Sequence, residues 1–134
     1  MALTVLDAGV VIAVLDANDA HHVAARAALR EASSDALFLP ASAYAEVLVA
    51  PLRRGDGAEA VGHFLDAVPI SIHDASRDIA RQAAELRAAH GQSLRLPDAL
   101  VLATAMVLGA DRVITTDTRW PQLPVEVEVL QKAS

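Results

Sequence analysis

Two hydrophobic patterns alternate along this chain. Short apolar runs bounded by turn residues read as buried strands, and longer segments with apolar residues three and four apart read as helices. Leu3 to Leu6 is the first run and delivers Asp7 at its end, and a helix through Val10 to Leu15 follows it. Asp16 to Asp19 forms a turn, and His21 to Ala32 is Ala- and Arg-rich enough for a second helix. Leu37 to Pro40 is the next strand, after which Ser42 is expected to cap a helix carrying Tyr44, Glu46 and Val47 and stopping near Pro51 or Arg54.

Asp56-Gly57 then breaks the chain, and Val61, Leu65 and Val68 mark the core face of another helix. Pro69 to Ile72 predicts a third strand, and Asp74 or Ser76 a cap for a long helix with Ile79, Ala83 and Leu86 on its inner stripe, ending at His90-Gly91. Pro97 suits the first turn of the next helix, apolar on every side from Ala99 to Leu108 and therefore central, with Gly109 as its stop. Arg112 to Thr115 is a fourth strand, and the strict alternation from Val125 to Leu130 predicts an edge strand with one wet face. Strand and helix in repeated succession predict an α/β domain: a central, mostly parallel sheet of four to five strands flanked by helices, with functional groups at the carboxyl ends of the strands.

Composition adds limits. The 134 residues suit a single domain over 1–134. With 54% of residues hydrophobic but only 3% aromatic, Ala, Val, Leu and Ile must fill the interior, and some apolar surface is left for a partner. The absence of cysteine excludes a disulfide framework and thiolate metal sites. No uncharged apolar run approaches the roughly 20 residues needed to span a bilayer, and the first residues lack the basic stretch and apolar core of a secretory signal, so no membrane association and a cytoplasmic location are expected. The net charge of −6 counts against a nucleic-acid binder, whose backbone contacts normally come from basic surfaces, although local charge matters more than the total. Ten of the eleven basic residues are Arg, with Lys132 the single lysine at the tail, so any phosphate contact is expected to come from arginine.

The acids resolve that tension. Asp7 and Asp117 end apolar strands, and Glu46 and Asp98 lie near the starts of helices that follow loops. In a parallel sheet those positions share one rim. Four carboxylates gathered there repel one another, and a hard divalent cation such as Mg²⁺ or Mn²⁺ makes such a cluster tolerable. Asp98, directly after Pro97, also sits where the helix dipole favours a negative charge.

The segments around these acids, Val5-Leu6-Asp7-Ala8-Gly9-Val10-Val11-Ile12, the Ala43-Tyr44-Ala45-Glu46-Val47 helix, Leu96-Pro97-Asp98-Ala99-Leu100 and Val113-Ile114-Thr115-Thr116-Asp117, occur in the order that resembles the PIN-domain ribonucleases. The likeness spans nearly the whole chain and is nearest to the toxins of VapBC toxin–antitoxin pairs. The resemblance implies a PIN fold, Mg²⁺- or Mn²⁺-dependent endoribonuclease activity on an RNA substrate, a homodimer, and inhibition by a cognate VapB-like antitoxin. It assigns Asp7, Glu46 and Asp98 to the family's near-invariant acids and Asp117 to its more variable fourth, all four as catalytic and metal-binding residues. It also implies hydrolysis by a metal-activated water, leaving a 5′-phosphate and a 3′-hydroxyl. One departure is Gly9, where the family often carries Ser or Thr to hold the first Asp or its water. Thr115 and Thr116 are expected to hydrogen-bond the acids or the phosphate, and Arg95 to contact the RNA.

Other chemistry-bearing residues have simpler readings. Asp16, Asp19, Asp56, Asp74 and Asp111 stand in turn-like contexts that favour capping or solvation. His21 and His22 are adjacent, so they do not share a helix face, and surface positions are expected for both. Trp120, followed by a proline, is expected to anchor its loop more than to stack a base. Receiver and haloacid-dehalogenase phosphotransfer domains also place an Asp after the first strand. The former needs a lysine late in the fold, and the latter an acid two residues on, where this chain has Gly9. The remaining alternative is a PIN-like binding module without catalysis, acting through protein or RNA binding.

Overall fold

The computed structural model describes residues 1–133. Among them the chain runs β1 (Leu3–Leu6), α1 (Ala8–Leu15), α2 (His22–Glu31), β2 (Ala36–Pro40), α3 (Ala41–Arg54), α4 (Ala58–Ala67), β3 (Ser71–His73), α5 (Arg77–His90), a 3-10 turn (Gly91–Ser93), α6 (Leu96–Leu108), β4 (Arg112–Thr115) and β5 (Val127–Val129). The strands form one sheet in the order β3-β2-β1-β4-β5, and every neighbouring pair is parallel. The expected α/β architecture is therefore present, with five strands, all parallel.

The central strands are buried because covered parallel sheets leave no wet face. Val5, Leu6, Val113 and Ile114 are wholly inaccessible. Helix α6 lies against β1, β2 and β4. The apolar character it shows on all sides has its cause here, since α5 covers the face that the sheet does not. Its one buried polar side chain, Thr104, donates through its hydroxyl to the Leu100 carbonyl at 2.7 Å. Gly109 ends the helix in the left-handed conformation (φ 66°).

Three local expectations shift and two open alternatives are decided. Ser42 is not a cap: α3 begins directly after Pro40, which closes β2 and has no side chain to accept a hydrogen bond, and Ser42 lies inside the first turn. Of the two stops expected for α3, Arg54 is the one found: the helix runs through Pro51 and closes on Gly55 at φ 82°. The final strand is shorter than its alternation suggested. Only Val127–Val129 pairs, as an edge strand on β4, and Pro124 precedes the alternating residues without joining the ladder. The third strand starts two residues later than expected, at Ser71. Ser76, not Asp74, caps α5, its hydroxyl accepting from the Ile79 amide at 3.1 Å.

The amino-terminal edge of the sheet is tied by charge. Arg112 reaches Asp35 Oδ2 at 3.2 Å and Glu128 Oε2 at 3.4 Å. The fully buried Thr4 hydroxyl donates to the same Asp35 oxygen at 2.9 Å, and Asp111 Oδ2 accepts the Leu3 amide at 2.7 Å. Among the described residues, the ion pair at the opposite, carboxyl edge joins Arg119 to Asp117 within one turn and does not tie strand to strand.

Because Leu102 is wholly inside and Leu52 is 64% exposed, Leu102→Ala is expected to lower the free energy of unfolding by about 2–5 kcal/mol. Leu52→Ala should lower it by less than about 0.5 kcal/mol. Parallel urea titrations of the two variants check the contrast.

Candidate active site

Strand order alone marks one place on the carboxyl edge. From β1 the chain moves outward through β2 to β3, whereas β4 and β5 lie on the other side of β1. The connections leaving β1 and β4 therefore diverge, and a crevice opens between them, where ligands bind in open parallel sheets. The pairing of the two strands continues to the crevice floor, with the Asp7 amide donating to the Ile114 carbonyl at 2.9 Å.

All four candidate acids line this one cleft, together with Gly9, Arg95 and Thr116. Asp7 enters as the N-cap of α1, its Oδ1 accepting the Ala8 amide at 2.9 Å. Glu46 comes from the second turn of α3, deeper in its helix than expected because α3 starts without an intervening loop. Asp98 is the third residue of α6 and Asp117 follows β4.

Thr115 does not line the cleft. It is wholly buried, and its hydroxyl donates to Asp7 Oδ2 at 2.7 Å while accepting the Asp117 amide at 3.0 Å. This short chain of hydrogen bonds links the end of β1 to the turn after β4. Thr116 does face the cleft, packed over Gly9 so closely that a Cβ on Gly9 would overlap the Thr116 hydroxyl oxygen. The absent side chain at position 9 thus makes room for a hydroxyl from the neighbouring loop.

The electrostatics follow from burial and mutual repulsion. Desolvation pushes the Asp7 carboxyl up to about 6, against the lowering effect of its Thr115 and Ala8 hydrogen bonds, and the charges of Asp98 and Glu46 add to the rise. Glu46 is raised by partial desolvation and by Asp98, with Arg95 opposing. Asp98 is raised by burial and by Asp117, with Arg95 opposing. The buried Trp120 indole N–H, which has no well-formed hydrogen-bond partner, and the charge of Arg119 also act to lower Asp98. Asp117 is the exception. Burial raises it, but hydrogen bonds and charge from Arg119 outweigh this and hold it below the ordinary value. Arg119 meets it through Nε–Oδ1 and Nη2–Oδ2, each at 3.3 Å.

Among the described residues no three His, Asp or Glu side chains stand close enough to form a ready-made metal-binding group. Asp7 is held by Thr115 and Ala8, and Asp117 by Arg119, so two of the four acids are drawn to partners other than one another. The donor set itself, carboxylate oxygens carrying more negative charge than Arg95 and Arg119 supply in return, is of the kind a hard divalent cation takes.

Sequence reasoning missed several lining residues. His21, read as surface, stands on the cleft wall, while His22 turns back to the Ala13 carbonyl at 2.7 Å. The rule that neighbours do not share a face was sound, but it did not say which one faced the site. Gln131 and Lys132 also line the cleft, so arginine is not its only basic residue type. Nothing near them in sequence signals this. Arg119, two residues from Asp117, was within reach of a local argument. Trp120 packs partly buried against the core.

The chain matches the family described as PIN domain over residues 4–126. No curated protein matches it in sequence. Among solved structures it is similar to a toxin–antitoxin complex from Klebsiella pneumoniae (24% identity, TM-score 0.75, covering 97% of this chain and 99% of that one). It is also similar to VapC20 of Mycobacterium tuberculosis, a toxin that cleaves the sarcin-ricin loop (20% identity, TM-score 0.67, covering 82% and 86%). A third similarity is to VapBC2 of Rickettsia felis bound to a promoter fragment (16% identity, TM-score 0.74, covering 96% and 99%).

Two stability predictions follow from this geometry. Unfolded Asp7 titrates near 3.8 and folded Asp7 near 6, so the native state holds the proton more tightly and ionisation opposes folding. That penalty is absent below about pH 3.8, grows between 3.8 and 6, and is complete above 6. Asp7→Asn is therefore expected to raise the melting temperature of metal-free protein at pH 7.5 by roughly 3–6 °C, a gain that fades as pH falls toward 4. Scanning calorimetry across that range checks it, and a lower Tm at pH 7.5 would refute it. For Gly9, alanine in a helix ordinarily adds about 0.5–1 kcal/mol. Here Gly9→Ala should destabilise the native chain but stabilise a Thr116→Ala background, a reversal of sign that a double-mutant cycle reads directly.

Proposed function

The chain belongs to the PIN domain family, and from that premise we propose that it is a divalent-metal-dependent endoribonuclease, the toxin of a VapBC-type toxin–antitoxin pair. The observation that carries the reading is the convergence of Asp7, Glu46, Asp98 and Asp117 on one cleft at the β1/β4 crevice. The carboxylates that would hold Mg²⁺ or Mn²⁺ are these four. When bound, such an ion neutralises phosphate charge and acidifies water.

The chain's own groups do the rest. Thr115 and the α1 amide of Ala8 fix both oxygens of Asp7, so this ligand is oriented before anything binds. Arg119 holds Asp117 ionised and Arg95 moderates Glu46 and Asp98, which keeps the cleft anionic without leaving the repulsion unopposed. The Thr116 hydroxyl, facing the cleft above Gly9, donates to a phosphate oxygen. A carboxylate oxygen left free takes a proton from the attacking water as the new P–O bond forms, and as the P–O3′ bond breaks the departing O3′ takes a proton from solvent water, giving a 5′-phosphate and a 3′-hydroxyl.

The antitoxin reading draws support from a second, largely apolar groove. Ile12, Leu15, Val47, Ala50, Pro51 and Val61 line it, and it shares Glu46 with the acid cleft, so a protein lying in the groove also reaches the acids. Ile12 and Leu15, exposed in the single chain, gain cover there.

Purified protein is expected to cleave single-stranded RNA with Mg²⁺ or Mn²⁺ and to stop when EDTA is added. Asp98→Asn should lose about 100-fold or more of that activity while keeping its fold. Chelator-resistant cleavage, or full activity in the variant, would sink the reading.

A further inference from the structure

The acid cleft has a second wall, built from two segments far apart in sequence. One is the corner between α1 and α2. There Asp19 Oδ1 accepts the His21 amide at 2.8 Å and lies 3.5 Å from His21 Nδ1, the Asp19 amide donates to Asp16 at 3.0 Å, and the His22 amide donates to Asp19 at 3.0 Å. The other is the segment after β5. Its first residue, Leu130, is buried and bonded through its amide to the Thr115 carbonyl at 2.8 Å. Three residues on, the Ala133 amide donates to the Ala20 carbonyl at 2.9 Å, which fastens this segment to the corner. Gln131 and Lys132 are thus held between two anchors, beside His21, on the cleft.

Charge gives this wall its meaning. Arg119 is engaged in two contacts with Asp117, and the charge of Arg95 acts on Glu46, Asp98 and Asp117. Lys132, the only lysine in the chain, makes no ion pair among the described residues. A polyanion entering a cleft with four carboxylates needs a cation not already committed to them, and the wall supplies one together with an amide and an imidazole, all able to donate to phosphate oxygen.

We propose that His21, Gln131 and Lys132 form a binding subsite for a backbone phosphate of the RNA strand flanking the phosphate that is cleaved. The proposal rests on the nuclease reading for its substrate. The subsite holds the strand in register and takes no part in bond breaking, so it acts on affinity more than on the chemical step.

The test uses the full chain and one fluorescent single-stranded RNA. In Mg²⁺, Lys132→Ala should raise KM about fivefold and Lys132→Glu further, with kcat within about twofold, and Lys132→Ala should reduce the slope of log KM against log salt by about 0.7. Arg26→Glu, reversing an exposed charge away from the cleft, should leave KM unchanged. Fluorescence anisotropy in EDTA reads the same oligonucleotide without cleavage. If wild type cleaves nothing but Lys132→Glu weakens its RNA binding and Arg26→Glu does not, the nuclease reading fails and the subsite stands. Equal RNA affinity for wild type, Lys132→Ala and Lys132→Glu overturns the subsite whether or not the protein cleaves. So does a loss of equal size from Arg26→Glu, which would reveal a general charge effect.

Discussion

The pairing of β1 with β4 is the constraint on which the rest of this molecule hangs. These two strands sit side by side at the centre of the sheet although more than a hundred residues separate them in sequence, and their outgoing connections part in opposite directions. The crevice exists because of that parting. The last ladder bond, from the Asp7 amide to Ile114, and the Thr115 hydroxyl that joins Asp7 to the Asp117 amide bring two acids from distant segments to the same floor. Without this seam, Asp7 is a helix cap and Asp117 a turn residue.

The two edges of the sheet settle their polar groups differently. At the amino edge, Arg112 satisfies Asp35 and Glu128, and the buried Thr4 hydroxyl has its acceptor. At the carboxyl edge, burial and like charge hold Asp7, Glu46 and Asp98 above their ordinary titration range, with only Asp117 fully compensated. Such uncompensated carboxylates lower the stability of the chain alone; in the proposed function a bound cation would recover it. The contrast sets apart an edge that holds the fold from an edge open to a ligand.

The acid cleft and the apolar groove meet at Glu46. In the proposed function one side chain therefore borders both the chemistry and the surface a protein partner would cover. An occupant of the groove needs no long-range conformational change to affect the acids, because contact and charge suffice.

Much of this was legible without coordinates. Hydrophobic runs placed β1, β2 and β4 to within a residue, and glycine at Gly91 and Gly109 marked two helix ends, because burial and left-handed backbone leave local traces. The four acids were also readable, since strand ends and helix starts in a parallel sheet share a rim. Pairing partners are not written locally, so the length of β5 was not legible; alternation shows which residues suit a strand, but only β4 beside them decides how many pair. The second wall was equally hidden. His21, Gln131 and Lys132 are ordinary polar residues in sequence, and only the closing contact of Ala133 with Ala20 brings them together. Most elements, the core and the placement of the acids near strand and helix ends were local matters, set by neighbours a few residues away. Which side chains meet in the cleft was not, because that depends on strand order and on contacts across more than a hundred residues.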